Sequence, residues 1–194
     1  MLIIGITGTI GAGKGTVVDY LTSRYGFKHY SVRKYLTELL RDQGIEPNRD
    51  HFTALANSLR EKNNSPSFII EELYSKAALN GDDAIIESIR TLGEIDRLRT
   101  LDNFILLAID AEQSLRYQRV FARNSETDAI GYEKFKSDED REMKSSNPNN
   151  QNLAGCIALA DYTIINNDGL TELHDSIDHL IDKISKINTI KDSR

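Results

Sequence analysis

The densest chemistry in the chain lies near its start, in Gly8-Thr9-Ile10-Gly11-Ala12-Gly13-Lys14-Gly15-Thr16. Glycines at this spacing let backbone N–H groups converge on one point without side-chain obstruction. Converging N–H donors hold phosphate oxygens, and Lys14 supplies a mobile cation of the kind that reaches β- and γ-phosphates. The motif carries this meaning when a strand precedes it and a helix follows. Both are present: Leu2 to Ile6 is a continuous apolar run, and Val17, Val18 and Leu21 mark one face of a following helix. The N-terminus of that helix adds its dipole to the anion site. The position after the lysine is Gly15, where most such loops carry a Ser or Thr that ligates Mg²⁺. Thr16 arrives one residue late.

A second group is Glu87-Ser88-Ile89-Arg90, at the end of the apolar run Ala84 to Glu87. A carboxylate ending a strand beside a phosphate loop can hold the waters of Mg²⁺. An arginine three residues on can fork onto a phosphate. Arg116, Arg119 and Arg123 follow at helical spacing on one face. Like charges so placed destabilise an isolated helix. A polyanion is the expected partner, for Arg119 and Arg123 especially, with ion pairs to Glu112, Glu126 and Asp128 as the rival account. Asp138-Glu139-Asp140-Arg141-Glu142 reads as a solvated helix, because successive side chains spread around it. Arg41 and Arg60 likewise read as solvated helix residues. His29, His51, His174 and His179 form no metal-ligand spacing with Cys156. There is no Gly-x-Ser-x-Gly elbow, and Cys156 sits in an apolar stretch as a packed thiol.

These groups need a scaffold. Leu2 to Ile6, Ala84 to Glu87, Phe104 to Ile109 and Tyr162 to Ile165 read as buried strands, with Phe27 to Tyr30 a weaker fifth. Helical stretches lie between them. Val32, Tyr35, Leu36, Leu39 and Leu40 mark one amphipathic face, and Leu170, Leu173, Ile177, Leu180, Ile181 and Ile184 another. Alternating strands and helices imply βαβ units and a parallel sheet. The interval from Tyr30 to Ala84 has room for about three helices. The polar interval before Tyr162, including Ser145 to Asn152, reads as a lid or binding loop. Asn166-Asn167-Asp168-Gly169 is a turn signal after the last strand, and the residues from about Asn188 read as a frayed tail.

At 194 residues the chain fits one domain. With 24 basic and 30 acidic residues the net charge is −6. That balance argues against a nucleic-acid or anionic-membrane partner. One cysteine excludes an internal disulfide framework. No apolar run reaches the ~18 residues of a spanning helix, and the start lacks the basic region of a signal peptide. The expectation is a cytoplasmic protein, monomeric or weakly dimeric, acting on a small molecule.

The Gly-Lys-Gly-Thr loop resembles the adenylate kinase branch of the P-loop kinases. Over nearly its whole length the chain resembles a group of mostly archaeal nucleotide-kinase-related proteins that sit between adenylate kinases and dephospho-coenzyme A kinases. The matching pieces are Gly5 through Gly15, the helix before Gly44-Ile45-Glu46-Pro47, Ser88-Ile89-Arg90 with Gly93-Glu94, and Ala160-Asp161 through Gly169. The resemblance implies a three-layer P-loop NTPase of adenylate-kinase-like α/β fold with a five-stranded parallel sheet. Its core would be residues 1–30, 81–115 and 153–187, with an acceptor-binding insertion at 31–80 and a lid at 116–152. It implies ATP and Mg²⁺. Gly8, Gly11, Ala12, Gly13, Lys14, Gly15 and Thr16 would hold the phosphates, with Thr16 at the α-phosphate. Asn166, Asp168 and Gly169 would lie at the adenine. Thr16 and Glu87 would hold the metal, largely through water. Glu87 to Arg90 resembles the Asp-Gly-Phe-Pro-Arg segment of adenylate kinases, whose arginine grips the acceptor phosphate. In the acceptor segment Lys34 and Thr37 stand where that family has Asp and Arg, which leaves Arg33 as the substitute. The implied reaction is phosphoryl transfer from Mg·ATP to a small phosphorylated acceptor, foremost a nucleoside monophosphate, with Lys14, Arg90, Arg119 and Arg123 doing the work. A dephospho-coenzyme A kinase-like enzyme and a regulatory NTPase without an acceptor remain alternatives.

Overall fold

A computed structural model describes residues 1–101, 103–123, 131–145, 147 and 150–192. Among these, five strands form one parallel sheet: β1 (Ile3–Gly8), β2 (Lys28–Ser31), β3 (Ala84–Glu87), β4 (Phe104–Asp110) and β5 (Tyr162–Ile165), in the order β2-β3-β1-β4-β5. The weak fifth run is thus a real edge strand. The buried runs are strands because each is covered on both faces, and alternate residues serve different layers. Ile4, Ile6, Ile85, Leu107 and Ile109 point into one core with Val17, Val18 and Leu21 of α1 (Lys14–Tyr25) and Leu173, Ile177, Leu180 and Ile184 of α9 (Leu170–Asp192). Ile3, Ile86 and Leu106 point the other way. They meet α2 (Val32–Asp42), α3 (Arg49–Lys62), α4 (Phe68–Asn80), α5 (Leu92–Leu98) and Cys156 of α8 (Leu153–Ala158). The result is three layers.

The interval after β2 holds the three expected helices, α2 to α4. Two more, α6 (Gln113–Arg123) and α7 (Tyr132–Met143), follow β4. Glu126, Asp128, Ser146, Pro148 and Asn149 lie outside the described residues. The expected frayed tail is a correction: α9 runs on to Asp192, and isoleucines at 184, 187 and 190 continue its helical spacing.

Registers place the strand ends together. Ile6 lies opposite Glu87, Gly8 opposite Ile109, and Ser31 opposite Glu87. The phosphate loop, Glu87, Ser31 and Asp110 therefore share the carboxyl edge of the sheet, where open α/β sheets bind ligands. Among the described residues, no helix is long and apolar enough to cross a membrane.

Candidate active site

The loop leaves β1 at Gly8 and enters α1 at Lys14. Gly13 has φ +99°, and a Cβ there would lie 2.4 Å from Asn166 Nδ2, so both backbone sign and close approach demand glycine. Gly15 is different, since a Cβ there would meet nothing within 4 Å. Packing therefore does not explain the missing hydroxyl after Lys14. α1 receives no side-chain cap from Gly13 and has no acidic residue in its first turn. Its first N–H groups have no acceptor within the helix, which makes this terminus an anion cradle.

Neighbouring elements brace the loop. Thr9 Oγ1 donates to Asp110 Oδ1 at 2.6 Å. Asn166 Nδ2 donates to Ala12 O at 2.8 Å, and Arg119 Nη1 in turn donates to Asn166 O at 2.9 Å. Arg116 reaches Ile10 O at 3.3 Å and Ala111 O at 2.7 Å, and pairs with Glu139. Lys14 Nζ folds onto the loop itself, donating to Gly8 O at 2.9 Å and Thr9 O at 2.8 Å. Removal from water, and then the nearby Arg90 charge, lower the Lys14 pKa to about 7 against the partial support of Glu87 and Glu142.

The turn after β3 begins at Ser88, a non-glycine residue with φ +75°. Its N–H and that of Ile89 both donate to Ile6 O, at 3.0 and 3.1 Å. Such a conformation costs on the order of 1–3 kcal/mol and is tolerated where it positions something. Here it turns the chain from Glu87 to Arg90. Burial would raise the Glu87 pKa, but a 3.2 Å hydrogen bond to His29 and the Lys14 charge hold it below the usual range. The Arg90 N–H donates to Glu94 Oε2 at 2.7 Å. Its guanidinium reaches Glu142 Oε2 at 2.5 Å and Gln151 Oε1 at 3.1 Å. Arg49, at the start of α3, grips the other oxygen of Glu142 through Nε at 3.1 Å and Nη2 at 2.9 Å. Despite burial, the two arginines hold Glu142 ionised below the usual carboxylate range.

The structure gathers Lys14, Glu87, Arg90 and Arg123 into one field of charge. Arg33 instead stacks its guanidinium over Phe52, 5.3 Å from the ring centroid. Thr16 is exposed in the first turn of α1, as are Asp168 and Gly169 beyond β5. Two expectations are corrected. Arg60 is buried and pairs with Glu94 at 2.8 Å. Asp138, Glu139 and Glu142 are buried too, because Phe135 and these three acids share one helical stripe at i, i+3, i+4 and i+7. That stripe was the available signal. It includes Glu142, whereas Arg49, 93 positions away from that partner, left no signal in the spacing. Cys156 is packed as expected, and burial pushes its thiol up to about 12.

The family model described as an AAA domain matches residues 4–146. The chain belongs to that family. A UPF0200 protein of Hyperthermus butylicus is 27% identical over 185 residues, covering 95% of each chain. Among solved structures, a dephospho-CoA kinase from Campylobacter jejuni aligns with a TM-score of 0.54 at 18% identity, over 95% of this chain and 97% of that one. A shikimate kinase from Aquifex aeolicus aligns with a TM-score of 0.53 at 13% identity, over 95% and 98%. The fold is that of the adenylate-kinase-like P-loop kinases, and the chain is a P-loop nucleotide-kinase-related member of the AAA domain family.

Proposed function

We propose that this AAA domain protein transfers the γ-phosphoryl group of ATP to a small phosphorylated acceptor, foremost a nucleoside monophosphate. One observation carries the reading: Ile6, near the end of the strand that leads into the phosphate loop, lies opposite Glu87 and accepts the N–H groups of Ser88 and Ile89, so the turns that carry Lys14 and Arg90 adjoin at one edge of the sheet. Cations converging from two sides suit a transferred group whose charge spreads over several oxygens.

The residues fit Mg²⁺·nucleotide. The α1 terminus is uncapped, and Glu87 stays ionised beside Lys14. Among the described residues no three His, Cys, Asp or Glu could hold a metal alone. A magnesium ion would therefore be held by Glu87 and Thr16 through water, the usual habit of this ion at phosphates. Bound there, it would neutralise charge between the phosphates.

The chain's own residues do the rest. The loop amides from Gly8 to Thr16 fix the phosphates. Lys14 leaves its two carbonyl partners to follow the transferred group. Asn166 and Arg119 keep the loop against the turn at Asp168 and Gly169, where the adenine would lie. Arg123 adds charge from α6, and Arg90, with Arg33, orients the acceptor. Residues 31–80 would serve as the acceptor-binding insertion, residues 116–152 as a lid that excludes water, and the remaining segments as core. A phosphate acceptor is itself the nucleophile, so no general base is required.

The test is ADP release from Mg·ATP against a panel of ribo- and deoxyribonucleoside monophosphates, dephospho-coenzyme A, shikimate and no acceptor. Stimulation by a monophosphate, absent in Lys14→Met, is expected. Stimulation by dephospho-coenzyme A alone would move the chain to that chemistry. Hydrolysis that no acceptor stimulates would favour a regulatory NTPase.

A further inference from the structure

Glu142 is held in an unusual way for a lid residue. Its two oxygens are divided between Arg49, from α3, and Arg90, from the β3 turn. Arg49 Nη1 is left buried without a hydrogen-bond partner. The nearest acid to it is Asp138, with Oδ2 at 3.9 Å, and that carboxylate is shared with Lys134 at 2.7 Å and Arg141 at 3.3 Å. Two guanidinium groups from separate elements that turn three N–H donors toward one point match an anion that has more oxygens than a carboxylate. A buried ion triad is also weak as a mere strut, since desolvation offsets most of its attraction.

We propose that Arg49 and Arg90 form the subsite for the phosphate of the acceptor, and that Glu142 occupies this subsite as an internal stand-in which the acceptor displaces. The inference rests on the phosphotransferase reading and refines its acceptor side. A phosphate monoester would engage the three donors that face Glu142. The released Glu142 would carry α7 with it. Arg49 then takes the second acceptor position for which the sequence offered Arg33.

Inorganic phosphate is the probe, titrated by calorimetry into the full chain. Glu142→Gln removes the competing charge at equal size, and phosphate should bind at least about tenfold tighter. The gain should vanish in Glu142→Gln/Arg49→Gln and persist in Glu142→Gln/Lys14→Met. No gain, or a gain that follows Lys14 and ignores Arg49, overturns the proposal. Should Glu142→Gln fail to fold, hydrogen exchange of the wild-type chain decides. Saturating phosphate should speed amide exchange in α7, and unchanged or slower exchange contradicts the displacement. ATP binding measured separately on the wild-type chain tests the phosphotransferase reading. Its absence would sink that reading while leaving the Arg49–Glu142 result interpretable.

Discussion

The phosphate loop and the proposed acceptor side occupy the same edge of one sheet but are held by different means. The loop is fixed through its backbone: Asn166 and Arg116 bind its carbonyls, and Gly13 packs directly under Asn166. The acceptor side is fixed through charged side chains. Arg90, Arg49 and Glu142 come from three different elements and meet in one cluster. Backbone braces leave little to rearrange, so the donor site is shaped in advance. Ion pairs between side chains can be exchanged for a ligand's charges. The proposed transfer from one common donor to one particular acceptor would need that asymmetry.

The largest effect that would sharpen this contrast is Lys14→Met. Removing a cation that acts on the transferred group should lower acceptor-dependent ADP release by about 10²–10³. Circular dichroism should show the fold intact, because the Lys14 ammonium hydrogen-bonds to loop carbonyls among the described residues. Next is Arg90→Ala, which should abolish acceptor stimulation while ATP still binds in equilibrium dialysis. Equal losses on both sides would erase the distinction between them. Arg60→Ala tests the acceptor side as a scaffold. Arg60 and Glu94 are a buried pair, and Glu94 also takes the N–H groups of Arg90 and Thr91 at 2.7 and 3.0 Å. Breaking it should cost about 3–5 kcal/mol in urea unfolding.

A subtler effect is a proton. The folded Lys14 pKa is about 7 and the ordinary value 10.5, so between these the folded chain binds fewer protons than the unfolded one. The destabilisation from burying the ammonium is present below pH 7 and is relieved as pH rises through that window. A bound phosphate restores the charge. Above pH 7, nucleotide binding should therefore take up protons, read from calorimetry in buffers of different ionisation heat. Buffer-independent heats would contradict it. The smallest effect is Gly15→Ser. Open space around that position predicts a stability change within about 0.5 kcal/mol, together with a lower Mg²⁺ requirement for turnover.

The same contrast explains what the sequence made legible. The loop is contiguous, so its glycines, its lysine and the helix after it could be read together. The strands were legible because burial on both faces writes unbroken apolar runs such as Ala84 to Ile86. The acceptor side is assembled from distant residues. Arg60 meets Glu94 across 34 positions, and Arg49 meets Glu142 across 93. A local reading of charge on a helix sees only neighbours one turn away, so Arg60 and the acidic run that holds Glu142 read as solvated. The stripe of Phe135, Asp138, Glu139 and Glu142 did mark a buried face, but an acidic one, which only its arginines make stable. Arg33 stands in the segment the resemblance pointed to, and its guanidinium lies over Phe52.

The central claim is that charge from the loop and charge from the acceptor side act on one transferred group. Its most direct measurement is the fate of label from ATP carrying ³²P at the γ-position, incubated with the acceptor panel. The account predicts label in a phosphorylated acceptor, dependent on both Lys14 and Arg90. Label found solely in inorganic phosphate, at a rate that Arg90→Ala leaves unchanged, would contradict it.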